Sequence, residues 1–404
     1  MKKILNYLIY LVVIIYSVEI LLFIFSSDIQ KSLVNIKGHR IKIAKENNLK
    51  FDPREPEVVF LEKKSQIKDL SVPFYYSALF SNFETFVRAK EKNEIIPFRG
   101  PVNKKTLSCA EDLNYKIINN DKYGFKNSNS IYDSKIDVIL LGGSFAEGFC
   151  YTGVDDIAGN LIKEDIRTLN LGVATTGPLV SLAVLKEFSS TYKPKNVFYL
   201  YYESNSLNVL NWEEKDKKLI KYLNENYKTD YIKNISRVKK FLDLAEKESV
   251  EIAKIKANQN NDKEKSFLKT YFRNIQDILE ITILKNRLRK LSKFENKTYK
   301  LDLFNKIIIQ MKHETEKNGG IFTFVYIPSW DRFFNSSSNL HSIIGLRDII
   351  VDNLKKRNIN VIDTTDNFSN LKDLKEYYPL GYVGHFNQKG YKRVADILKE
   401  RISK

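Results

Sequence analysis

The chain has 404 residues, 43% hydrophobic and 12% aromatic, which is enough to bury a full core in one large or two modest domains and excludes a disordered chain. The formal net charge is +17, but lysines alternate with Asp and Glu along the chain and no nucleic-acid module is present. The charge therefore reads as a solvated surface, and nucleic acid is not expected as a partner. Four scattered His and two Cys show no metal-ligand spacing, and there is no phosphate-cradling Gly-x-x-x-x-Gly-Lys loop, so neither a metal nor a cofactor is expected.

Lys2 and Lys3 precede an apolar run over residues 4–25, interrupted only by Glu19. As a helix this run would span about 33 Å, matching a bilayer core of about 30 Å. It ends in Phe25-Ser26-Ser27-Asp28, a poor cleavage site, so it reads as a retained anchor over residues 1–29. The preceding lysines place the N-terminus on the cytoplasmic side. The expectation is a single-pass protein of the cytoplasmic (inner) membrane, held through residues 4–25, with its main domain in the periplasm or outside. Cys109 and Cys150 are the only cysteine pair, and in such a compartment they are candidates for one disulfide.

Residues 30–110 are polar and broken by Pro53, Pro56 and Pro73, and read as a stalk and lead-in. Strands and helices then alternate. Short apolar runs predict strands at 137–141, 168–171, 196–202, 320–327 and 360–362. Between them helical periodicity appears at 157–163, 179–188, 303–316 and 346–356, and a closing amphipathic helix at 390–402. This alternation predicts a three-layer α/β/α domain around a five-stranded, mostly parallel sheet, formed by residues 111–207 and 300–404. Residues 208–299 are Lys/Glu-rich without strand signals and read as an α-helical insertion.

In parallel α/β sheets, ligands bind beyond the carboxyl ends of the strands. Four segments fall there. Gly142-Gly143-Ser144 follows the first strand, with the serine on a tight strand-to-helix turn. Asn170-Leu171-Gly172, followed by Thr175-Thr176-Gly177-Pro178, follows the second. Tyr201-Tyr202-Glu203-Ser204-Asn205 ends the third, and Gly384-His385-Phe386-Asn387 introduces the last helix. Singly, each has a plain structural reading as a turn, cap or helix entry. After the fourth strand, Trp330 offers a ring for a sugar face and Arg332 a partner for an anion, with a buried Trp and a structural Asp–Arg pair equally plausible.

These blocks in this order, with Tyr123-Gly124-Phe125 ahead of them, resemble the SGNH (GDSL-like) hydrolase family over roughly residues 115–207 and 300–402, and within it the membrane-anchored bacterial subgroup. The resemblance implies a flavodoxin-like sheet and serine ester chemistry. Ser144 would be the nucleophile and His385 its base, and the oxyanion hole would come from the Ser144 backbone N–H, the Thr175 backbone N–H and the Asn205 side chain. It also implies an acylated cell-surface glycan as substrate, by hydrolysis or by O-acyl transfer. Three positions depart from the family pattern. Gly143 replaces the usual Asp, and Thr175 replaces a Gly where a β-branched residue resists positive φ. Tyr382 stands where the family has the acid three residues before the His. The expectation is therefore a Ser–His dyad, its imidazole oriented by a backbone carbonyl in 379–383, with Asp363, Asp366 and Asp373 as more distant candidates. A second reading is a weak or inactive scaffold protein that binds or helps assemble surface polysaccharide. The oligomeric state is not readable.

Overall fold

The computed structural model describes residues 7, 10–21, 36–80, 95–260, 297–334 and 340–403. It divides into two units, Met1–Leu49 with Lys254–Tyr299, and Lys50–Ala253 with Lys300–Lys404. In the first unit, residues 10–21 and Ile36–Glu46 are helical. Tyr10, Leu11, Val13 and Ile14 are exposed there and Glu19 is buried. Among the described residues no helix is long and apolar enough to cross a membrane. Residues 4–6, 8, 9 and 22–25 of the expected span lie outside the described residues, as do residues 261–296 of the expected insertion.

Among its described residues the second unit has ten strands: β1 (Leu70–Ser71), β2 (Phe74–Tyr75), β3 (Arg99–Gly100), β4 (Lys105–Leu107), β5 (Ile117–Asn119), β6 (Val138–Gly142), β7 (Thr168–Asn170), β8 (Asn196–Tyr202), β9 (Ile321–Ile327) and β10 (Asn360–Asp363). The last five are the strands expected from sequence, each within about one residue of its expected bounds. They form one sheet in the order β10-β9-β8-β6-β7, and every pairing is parallel. Counted from β6, this is the flavodoxin-like order, with its switch point between β6 and β8.

Strand periodicity explains the layers. Alternate residues of a strand face opposite sides of the sheet. Ile139, Leu141, Val197, Tyr199, Phe324 and Tyr326 enter one buried cluster with Leu182 and Leu185 of helix Pro178–Tyr192 and Phe304 and Met311 of helix Lys297–Lys317. Val138, Leu140, Phe198, Leu200, Val325 and Ile327 enter the other. There they meet helix Gln388–Ile402, whose Tyr391, Val394, Ala395 and Leu398 follow the i, i+3, i+4, i+7 spacing of one helix face. Burying each large side chain of that stripe contributes about 1.5–3 kcal/mol.

The stretch read as stalk and lead-in is more structured than its prolines suggested. Residues 50–110 belong to the second unit and carry helix Pro56–Gln66, which starts on one of those prolines. A three-stranded sheet, β1-β4-β5, grows from them, and Val59, Phe60, Leu70 and Leu107 share a core of their own. In the insertion, helix Ile235–Asn260 sends Val238, Phe241 and Leu242 into the larger core.

Candidate active site

β6 lies between β7 and the central strand β8, and its end delivers Ser144 to the switch point. The turn depends on Gly142, which sits at φ +135° with the carbonyl oxygen of Leu200 only 2.5 Å from where a Cβ would be. Ser144 then opens the single helical turn Ser144–Glu147, closed by Gly148 in the left-handed conformation. The Phe149 N–H donates back to the Ser144 carbonyl at 3.0 Å, which makes residues 144–149 one rigid loop.

His385 comes just before helix Gln388–Ile402, which packs in the same buried cluster as Phe145. Phe386 is fully buried and stacks on Phe368 at 4.8 Å. Asn387 caps helix Gln388–Ile402 by accepting from the Gly390 N–H, and its amide donates to the carbonyls of Glu376 and Tyr378. The imidazole is thereby aimed with little freedom. Its Nε2 lies 2.8 Å from Ser144 Oγ. Phe145 and Phe149 flank the ring at 5.0 and 4.9 Å between centroids, a partly dry setting in which the polar contacts are strengthened.

The far side of the imidazole corrects the expected dyad. His385 Nδ1 lies 3.1 Å from both carboxylate oxygens of Glu111, and the His385 backbone N–H donates to Glu111 Oε2 at 2.9 Å. A carboxylate on Nδ1 keeps the proton there and leaves Nε2 as an acceptor facing the serine. The candidates from sequence are engaged elsewhere. Asp363 pairs with Arg347 at 2.7 Å, Asp373 caps the turn Leu374–Tyr377, and Asp366 sits in the first turn of helix Thr365–Ser369. Glu111 comes instead from the long connection between the antiparallel strands β4 and β5, at the first residue of the expected hydrolase-like domain. The signal that pointed to it was Cys109, two residues earlier. Cys109 is disulfide-bonded to Cys150, six residues after Ser144, with 5.0 Å between the Cα atoms.

The loop after β7 holds Thr175 at φ +63°, the backbone state that a β-branched residue resists. The strain persists because neighbours over-determine it. The Thr175 hydroxyl bonds Ser77 Oγ and the Ala174 carbonyl, each at 2.6 Å. Glu147, buried and paired with Arg99, accepts the Ala174 N–H. On the far side, Glu213 accepts the N–H groups of Gly177 at 2.6 Å and Leu179 at 2.9 Å. Burial pushes the Glu213 carboxyl up to about 7, against the lowering effect of those same N–H groups. Asn205 lies just past β8 at the start of helix Ser206–Glu213, exposed and not capping that helix. Since Gly142 pairs with Leu200, Asn205 and Ser144 leave adjacent strands at the same edge.

Trp330 and Arg332 do not supply a sugar or anion subsite. Trp330 is buried, with Phe334 at 4.0 Å and Tyr378 at 4.8 Å against its ring. Arg332 Nε lies 2.9 and 3.0 Å from the two oxygens of buried Glu203, so its cation completes a structural pair with that acid. Cys109, Glu111 and Cys150 form a cluster of metal-ligand types, but the sulfurs are bonded to each other and Glu111 is on the imidazole.

No family model matches the chain, and no curated protein matches it. The chain is similar in structure to GDSL-like hydrolases. A GDSL-like lipase from Bacteroides thetaiotaomicron shares 10% identity, covering 69% of this chain and 90% of its own, with a TM-score of 0.35. A protein from Desulfitobacterium hafniense, assigned to the lipolytic G-D-S-L family, shares 13% identity over 66% of this chain and 98% of its own, with a TM-score of 0.34. A protein of Bacteroides fragilis, assigned as an acylhydrolase, shares 11% identity over 67% and 90%, with a TM-score of 0.35.

Proposed function

We propose that this chain is a serine ester hydrolase that works through an acyl-serine intermediate. The observation that carries the reading is the continuous line from Ser144 Oγ through His385 to the Glu111 carboxylate. Ser144 Oγ attacks the ester carbonyl carbon while its proton passes to His385 Nε2. Glu111 stabilises the imidazolium that forms. His385 then gives that proton to the leaving alcohol oxygen as the C–O bond breaks. A water then attacks the acyl-serine with His385 again as base, and His385 returns that proton to Ser144 Oγ as the Oγ–acyl bond breaks and the acid leaves. The Ser144 and Thr175 backbone N–H groups and the Asn205 amide are the proposed oxyanion donors.

The non-catalytic scaffold reading rested on the missing acid and on Thr175, and the Glu111 carboxylate beside His385 weighs against the first of these. We extend the proposal to a membrane-anchored, extracytoplasmic enzyme acting on an acylated surface glycan, by hydrolysis or by O-acyl transfer. Its supports are the disulfide, which suits an oxidising compartment, and the Lys-flanked apolar run over residues 4–25. Hydrolysis of p-nitrophenyl acetate by the protein, abolished in Ser144→Ala, tests the chemistry. An equal, undiminished rate in that variant would assign the activity to another group. Acetylated sugars assayed beside long-chain esters test the substrate class, and a preference for the long chains would replace the glycan with a lipid.

A further inference from the structure

The position of Glu111 raises a question of reach. The connection from β4 to β5 runs from residue 108 to residue 116, long for a hairpin loop, and such loops are where freedom resides. An acid held there must nevertheless keep three short contacts to His385. The outer part of the loop is fastened away from the site. The Asp52 N–H donates to the Leu113 carbonyl at 2.8 Å, and the Tyr115 hydroxyl donates to the Arg54 carbonyl at 2.8 Å. On the site side, Lys116 Nζ lies 4.1 Å above the Tyr151 ring, and the covalent tie is Cys109–Cys150.

Cys150 is a rigid post. It is fully buried, and the residues on both sides of it are hydrogen-bonded. The Phe149 N–H donates to the Ser144 carbonyl, the Tyr151 N–H to the Gly148 carbonyl, and buried Lys126 donates to the carbonyls of Gly148 and Tyr151. The bridge therefore fastens the acid's loop to the same turn that carries the nucleophile. From Cys109 to Glu111 the chain extends by at most about 7 Å, so the bridge keeps the acid's backbone beside that turn whatever the rest of the loop does.

We infer that the Cys109–Cys150 disulfide is a positioning device for the Glu111 acid, so that triad assembly depends on the oxidised bridge. The inference rests on the serine-hydrolase reading above. Glu111 is the group that touches the base, and the cysteines act only through it. A displacement of about 1 Å at a catalytic group can cost about 10²-fold in rate, which sets the scale of effect for losing the tether.

The test compares the full chain with Glu111→Gln, with Cys109→Ala/Cys150→Ala, and with the triple variant, in two readouts. The first is kcat/KM for p-nitrophenyl acetate. The second is the downfield proton resonance of His385 Nδ1–H bonded to a carboxylate, seen in protein carrying 15N-labelled histidine and assigned by its loss in Glu111→Gln. That resonance does not require turnover, so an enzyme reading that fails leaves this inference decidable. The expected result is a loss of about 10²-fold in the bridgeless protein, with the resonance gone and circular dichroism unchanged. In that background Glu111→Gln should cost no more than about threefold further, the non-additivity of groups acting through one contact. A bridgeless protein that keeps the resonance would overturn the inference, as would an undiminished Glu111→Gln factor in that background, because the bridge would then serve stability alone. A second variant, one glycine inserted between Ala110 and Glu111, keeps the bridge and lengthens the tether by about 3.5 Å. It should lose the resonance even if the bridgeless protein does not fold, and a retained resonance there would likewise refute the idea.

Discussion

Replacing Glu111 with Gln keeps the side chain's size and removes its charge. The carboxylate holds His385 by three contacts: both its oxygens lie 3.1 Å from Nδ1, and Oε2 accepts the backbone N–H at 2.9 Å. A glutamine has one acceptor oxygen for two donors, and its amide nitrogen would face either the backbone N–H or the Nδ1 proton. The imidazole is then free to carry its proton on Nε2, where it cannot accept from Ser144, and the imidazolium loses its counter-charge. Loss of a triad acid lowers kcat by about 10²–10⁴-fold, or about 3–5 kcal/mol of transition-state stabilisation. KM should change little, because Glu111 lies behind the base and not against the substrate. Steady-state hydrolysis of p-nitrophenyl acetate measures both parameters. Asp363→Asn, which touches Arg347 and not the base, should stay near the parent rate. A Glu111→Gln enzyme within about threefold of the parent in kcat would refute the assignment, since such a change is worth under about 1 kcal/mol.

Two further predictions concern the frame of the site. Gly142→Ala places a Cβ against the Leu200 carbonyl at a positive φ, and should cost about 3 kcal/mol or more in a denaturant titration; a loss below about 1 kcal/mol would mean the β6 turn is not strained as described. Glu213 has its folded pKa raised to about 7, so the native state holds the proton more tightly than the unfolded chain. Its contribution is therefore fully present below the ordinary glutamate pKa and is lost as pH rises through about 7. Melting curves between pH 5 and 8 should fall more steeply for the parent than for Glu213→Gln, and equal slopes would contradict the assignment.

The sheet was legible because β6, β8 and β9 are buried on both faces and read as continuous apolar runs between turn residues. Ser144 and His385 were legible for a related reason. Each lies at the edge where a parallel sheet presents its ligands, and each is placed by local features: Gly142 for the serine, the Asn387 cap for the histidine. Glu111 was not legible, since its place is set by a contact 274 residues away in sequence. Its only trace was the pairing of Cys109 with a cysteine just past Ser144. Trp330 and Arg332 misled for the opposite reason. Their position after a strand suggested a subsite, but Phe334, Tyr378 and Glu203 close around them only in three dimensions. Thr175 was recognised as conformationally costly, and what sequence could not supply was the set of neighbours, Ser77 and Glu147 among them, that hold it there.

The central claim is that Ser144 is an activated nucleophile, and covalent trapping tests it most directly. The protein is treated with a fluorophosphonate and digested, and the modified peptide is sequenced by mass spectrometry. The account predicts a single adduct on Ser144, absent in Ser144→Ala and much slower to form in His385→Ala and Glu111→Gln. Folded protein that takes no label, or label that persists in Ser144→Ala, would contradict it.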